Sequence, residues 1–215
     1  MKAMNAKVRS TVRKELVEIL KNGVIFRNPV LIGALGLFPV AAGSFQLKNG
    51  VALSVMMFVM MLPVCVVSGL IKKRIPSWAR PGVILLLSAL CYVPAQMLAG
   101  AWIPQASPSL LLCAPMMICN SIILSRANDY APEHILPATI VDALGCTIGF
   151  SLVTCLFSAI RELFSAGTLW GYAPSNAIVS QPFFGFLMLG FFAAAVQTVN
   201  RSRSRKAKRK GGRVK

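Results

Sequence analysis

Six cysteines, Cys65, Cys91, Cys113, Cys119, Cys146 and Cys155, are the softest metal donors in this chain of 215 residues, and all fall within apolar runs. An oxidising compartment does not readily reach thiols so placed, and a disulfide framework is not expected. His134 is the sole histidine, lies between Pro132 and Pro137, and reads as a solvated loop residue without a metal partner. Asp142 opens an apolar run, where an acid either caps a helix or favours the passage of a cation. Arg161-Glu162 closes the same run and reads as an anchor at the membrane interface. No glycine-rich phosphate loop, nucleophile elbow or zinc spacing occurs in the sequence. Self-contained enzyme chemistry is therefore not expected, and the chain reads as non-catalytic alone.

The elements that must hold these residues are apolar. Hydrophobic residues make up 56% of the chain and charged ones only 13%, against roughly 25% charged in a soluble domain. Residues 29–47 and 49–70 carry no charge at all, which matches the roughly 20 residues that cross a hydrocarbon core. Apolar runs at 29–45, 50–71, 82–103, 109–125, 143–160 and 182–199 predict an all-α polytopic membrane protein with six transmembrane helices. No segment outside them is long enough for a second core. The expected organisation is a cytoplasmic N-terminal segment at 1–27, a six-helix membrane domain at 28–200 and a basic cytoplasmic tail at 201–215. Within the first segment, residues 10–24 pattern as an amphipathic helix lying in the interface, with Val12, Leu16, Ile19 and Leu20 opposite Arg13, Lys14, Glu18 and Lys21.

The net charge of +17 gains meaning from its placement. With the N-terminus inside, all but two of the 23 Lys and Arg residues, Lys48 and Arg161, fall in cytoplasmic segments. The positive-inside rule then puts both termini in the cytoplasm of a bacterial or archaeal plasma membrane. The tail beyond residue 200 suits anionic lipids, at about 1 kcal/mol per basic residue near the surface, and a nucleic-acid partner is not expected. The long connection at 161–181, with Phe164, Leu169, Trp170 and Tyr172, reads as resting on the outer interface. Gly145 and Gly149 form a G-x-x-x-G ridge suited to helix packing.

Two of the six runs are interrupted. The first contains Gly33, Gly36, Pro39 and Gly43, and the fourth contains Pro115 followed by Asn120-Ser121. Backbone groups freed in hydrocarbon must find partners inside the protein. In a three-plus-three arrangement these are corresponding spans of two inverted halves, and such paired breaks point to a functional site near the midplane, here Gly36, Phe38, Pro39, Pro115 and Asn120.

These same residues resemble a known family. Asn28-Pro29-Val30-Leu31 with Gly36-Leu37-Phe38-Pro39, and Asn120-Ser121-Ile122-Ile123-Leu124-Ser125-Arg126-Ala127, are similar to stretches of the Rnf/Nqr membrane subunits. So are Asp142-Ala143-Leu144-Gly145 with Gly149-Phe150, and Ile160-Arg161-Glu162-Leu163 leading to Ala166-Gly167-Thr168-Leu169-Trp170-Gly171. The resemblance runs in order from about residue 15 to 200 and is closest to the E subunit of the Rnf electron-transport complex and the D subunit of the sodium-translocating NADH:quinone oxidoreductase. It implies two inverted three-helix repeats whose broken first and fourth helices meet at the membrane centre. It also implies a homologous partner subunit, the other subunits of a redox-driven ion-translocating complex, and a [2Fe-2S] cluster to which each of the two subunits gives two cysteines.

This chain departs from that pattern where the cysteines would stand: it has Phe38 and Ser121. Phenylalanine has no donor atom and a serine alkoxide is a poor substitute for thiolate. Cys119 is two residues from Ser121 and is the alternative ligand, or simply a small buried apolar side chain. The cluster is expected to be weakened or absent here. Three functions follow for testing: a subunit of an Rnf/Nqr-type complex, a cluster-free paralogue kept as a scaffold, and a small solute or cation transporter.

Overall fold

The computed structural model describes residues 15, 17–20, 28–71, 74–104, 110, 113–167 and 177–211, and gives the backbone alone at 166, 177, 180 and 199–211. Among these residues the secondary structure is helix and turn, with no strand. That is the economy hydrocarbon demands, since a helix satisfies its own backbone groups.

Helix α1 spans Leu47–Ile71 and α2 spans Arg80–Trp102, opening with a proline in its first turn. After the short α3 (Ser121–Ser125) comes α4 (Leu136–Ala166), also opened by a proline and closed at Gly167. Gly167 has φ +68° and donates its N–H to Leu163 O (3.0 Å), a left-handed glycine stop. The four-residue α5 (Ala177–Ser180) and α6 (Pro182–Gly211) complete the order. Among the described residues three helices are long and apolar enough to cross a membrane, Leu47–Ile71, Arg80–Trp102 and Leu136–Ser165. The apolar part of α6, Pro182–Thr198, is shorter.

The core lies where α1 packs between α4 and α2. Leu53, Met56, Met57, Met60, Met61 and Val64 of α1 are fully or almost fully buried against Ala143, Cys146 and Phe150 of α4. Four methionines at one seam suit it, because their unbranched chains fill irregular gaps beside broken backbone. Helix α2 turns a long apolar face outward, including Leu86, Leu90, Val93 and Met97. In a bilayer such a face meets lipid at no cost.

The runs at 29–45 and 109–125 are interrupted, as read in the sequence: the first holds a turn at 29–33 and a π-helical turn at Pro39–Gly43, and the second a 3₁₀ turn at Ala114–Met117 before α3. Several boundaries differ from those read there. Lys48, assigned to a connection, is in the first turn of α1 and is buried. Helix α4 begins well before Asp142, because Pro137 starts it, so Asp142 is not its cap. Helix α6 carries on through the basic residues to Gly211, as Lys and Arg are good helix formers. Of the amphipathic segment 10–24 only Glu15 and residues 17–20 are described, and they are helical. Leu169, Trp170 and Tyr172 lie outside the described residues.

Candidate functional site

The two interrupted segments are brought together by the fold. In the first, Asn28 Oδ1 accepts from Val30 N (2.9 Å) while its Nδ2 donates to Gly149 O of α4 (3.0 Å), which anchors the start of the segment. This uses a carbonyl of the G-x-x-x-G ridge. The chain then turns through Ala34 (φ +51°) and Gly36 (φ +66°) before Leu37 and Phe38 lead into the Pro39–Gly43 turn. All five residues of that turn are buried, and the Ser44 hydroxyl donates back to Val40 O.

In the second, the 3₁₀ turn stops and Asn120 takes an extended conformation as the cap of α3, its Oδ1 accepting from Ile122 N (2.9 Å). A capping asparagine satisfies one of the amides a helix start leaves open. The Asn120 amide also points at the Met57 and Met117 sulfurs (3.7 and 3.6 Å).

Between them, Gly36 N donates to Ser121 Oγ at 2.8 Å, across 85 residues of sequence. The approach requires glycine twice over. A Cβ at Gly36 would stand 2.8 Å from Ile122 Cδ1 and 3.2 Å from Asn120 Oδ1, and its φ lies where L side chains are strained. Of the residues read as a midplane site, Gly36 and Asn120 therefore form one junction with Ser121, the candidate cluster ligand, and Pro39 is buried. Phe38 is elsewhere: it is 44% exposed and tilts against Phe186 of α6, ring centres 6.4 Å apart. Pro115, Met116 and Cys119 are also exposed. Cys119 is thus not the buried apolar residue the sequence suggested.

Asp142 belongs to a different cluster. It is buried on α4, 3.6 Å from the Arg126 guanidinium and 3.9 Å from the Cys146 sulfur. Arg126 also lies over the Tyr130 ring (5.7 Å), on which the exposed His134 stacks (3.8 Å).

Sequence reasoning missed one constellation. Arg161 and Glu162, expected as an anchor at the membrane interface, are 0% and 2% exposed. The Arg161 guanidinium donates to Ala41 O (2.6 Å) in the π-helical turn and to Val179 O (2.9 Å) and Gln181 O (3.0 Å) at the end of α5. Glu162 Oε2 accepts from Leu47 N (2.8 Å) at the start of α1. Two adjacent side chains thus satisfy backbone groups at the ends of three elements, which helix ends leave open. An acid-base pair at the close of an apolar run was the available signal. Its burial was not visible, because it depends on the first segment folding back.

The residues at 38 and 121 do not fit an iron–sulfur cluster. One is a ring without a donor, and the other has its oxygen turned to the Gly36 amide inside the same chain. Among the described residues no group of three or more His, Cys, Asp or Glu side chains is placed to hold a metal ion.

The apolar helices of this fold agree with the family comparison, which describes a membrane protein. The model of the Rnf-Nqr subunit, membrane protein, family matches residues 16–195, and the chain belongs to that family. It is 29% identical over 195 residues to the E subunit of the proton-translocating ferredoxin:NAD(+) oxidoreductase complex of Clostridium ljungdahlii, covering 87% of this chain and 91% of that one. It is 27% identical over 154 residues to the E subunit of the Na(+)-translocating ferredoxin:NAD(+) oxidoreductase complex of Acetobacterium woodii, covering 72% and 79%. With the E subunit of the ion-translocating oxidoreductase complex of Vibrio parahaemolyticus it shares 30% over 181 residues, covering 84% and 73%.

Proposed function

We propose that this chain is an integral membrane subunit of an Rnf/Nqr-type, redox-driven ion-translocating electron-transport complex, seated beside a homologous membrane subunit. The observation that carries the reading is the junction of Gly36 with Ser121, in a chain matched to the family over residues 16–195. Its relatives are named as E subunits of complexes that move protons or Na(+). In this reading the chain crosses the plasma membrane six times, as two inverted three-helix repeats with both termini cytoplasmic. The interrupted segments count as the first and fourth spans, and the Gly36–Ser121 contact lies near the midplane. The basic residues beyond 200 rest on anionic lipid.

The buried Asp142 beside Arg126 is the acid to place on a cation path, since ionised groups inside apolar spans are costly and seldom kept without use. A second reading, a cluster-free paralogue acting as a scaffold, is favoured by Phe38 at a ligand position. Co-expression with the membrane subunits encoded beside it tests both. The expected result is a complex that co-purifies with this chain and takes up ions in liposomes only when an electron donor is supplied. A complex that forms but transfers no electrons supports the scaffold. Donor-independent flux by the chain alone overturns both in favour of a solute or cation transporter.

A further inference from the structure

The broken segments are built from different donors than a metal joint needs. Residues 28–46, the whole first arm, contain no Cys, His, Asp or Glu. On the second arm, Cys113 is half-buried and Cys119 exposed, and Ser121 turns its oxygen toward the Gly36 amide. Around that hydrogen bond Asn120 and Ile122 are buried and Ser121 is half-buried, and the hydroxyl accepts from an amide of its own chain. The side chain at 38 packs with Phe186 at the protein surface, both rings a little under half exposed. A thiolate-held cluster is anionic and wants amide donors around its sulfurs; two aromatic rings supply none.

We infer that this subunit gives no ligand to an iron–sulfur cluster and closes the corresponding place with a metal-free joint: the Ser121 hydroxyl on the Gly36 amide, flanked by the Phe38–Phe186 pair. This deepens the function proposed above and rests on it for the sample in which it is tested. Electrons carried by such a complex then bypass this chain, and its breaks are held by a hydrogen bond whether the complex is oxidised or reduced.

The test is iron and acid-labile sulfide, counted per complex isolated anaerobically through a tag on this chain, for the wild type and for Cys113→Ser, Cys119→Ser and Ser121→Ala. Equal counts in all four are expected, whatever clusters other subunits hold. Loss of about two irons per complex in any variant overturns the inference. Co-purifying subunits are identified by mass spectrometry in the same sample, so failure to assemble counts against the proposed function. Where the complex does not assemble, the exchange measurement at the Gly36 amide decides the inference on the chain alone. Hydrogen exchange in lipid nanodiscs reads the joint directly. Ser121→Ala should speed exchange at the Gly36 amide about fivefold, the worth of one ordinary hydrogen bond, and Ser121→Thr, which keeps the hydroxyl, should not. An unchanged rate in Ser121→Ala overturns the joint.

Discussion

Gly36 shows how one residue can determine whether two distant segments meet. Its φ of +66° and the 2.8 Å left to Ile122 Cδ1 are separate obstacles to any side chain. The first costs an L residue about 1–2 kcal/mol, and the second asks a buried isoleucine to shift, which costs about 1 kcal/mol more. Gly36→Ala should therefore lower stability by about 2 kcal/mol, read as the midpoint of thermal unfolding in detergent. Gly100 in α2 has open space around it, with nothing within 4 Å of where a Cβ would stand, and no positive φ. Gly100→Ala should leave the midpoint unchanged or raised, because alanine favours helix. Equal loss from the two would mean that glycine at 36 serves no special conformation. Phe38 and Ser121 carry the proposed metal-free joint: a phenyl ring has no donor atom for iron at one position, and the hydroxyl accepts a hydrogen bond at the other.

Between elements, Arg161 ties together parts that also pack on α6. The π-helical turn Pro39–Gly43 and the end of α5 both present carbonyls to one guanidinium, whose planar fork can donate to several at once. Helix α6 seats on the same turn at Gly185, where a Cβ would collide with Ala41 O and stand 2.9 Å from Arg161 Nη1. Arg161→Gln should cost about 3 kcal/mol or more, as buried carbonyls lose a charged donor. Arg161→Lys should fall between it and the wild type, since a point charge cannot reach all three carbonyls. Detergent stability measured for both variants checks this, and indistinguishable Lys and Gln variants would show that the fork's geometry, not the charge, is what matters.

For the whole molecule the decisive asymmetry is charge. In the proposed six-span topology all but two of the 23 basic residues fall on one side, and the exceptions, Lys48 and Arg161, are buried in the protein rather than displayed. This removes the only basic residues that would oppose the orientation. In a chain whose native cysteines have been replaced, Lys210→Cys should react with a membrane-impermeant maleimide only from the cytoplasmic side, and Thr168→Cys only from the outside. Labelling of both from one side would rule out the odd number of crossings between them. Apolar faces such as Leu86, Leu90, Val93 and Met97 on α2 are what a membrane protein can turn to lipid or to a neighbouring membrane subunit.

The sequence by itself determined the membrane character, the all-helical class, the family and the residues at which the first and fourth apolar runs break. These are properties of local composition: hydropathy over some twenty residues, or a glycine or proline that no helix accommodates freely. The tertiary structure alone decided which broken segment touches which. Gly36 meets Ser121 over 85 residues, and Arg161 meets Ala41 over 120. It also put Asp142, read as a helix cap or a cation-path acid, in an interior ion pair away from the helix start, and buried Arg161-Glu162, read as an interface anchor, in the core. A side chain's partner in a membrane bundle depends on how the helices pack, and local pattern carries no record of a contact made by residues so far apart.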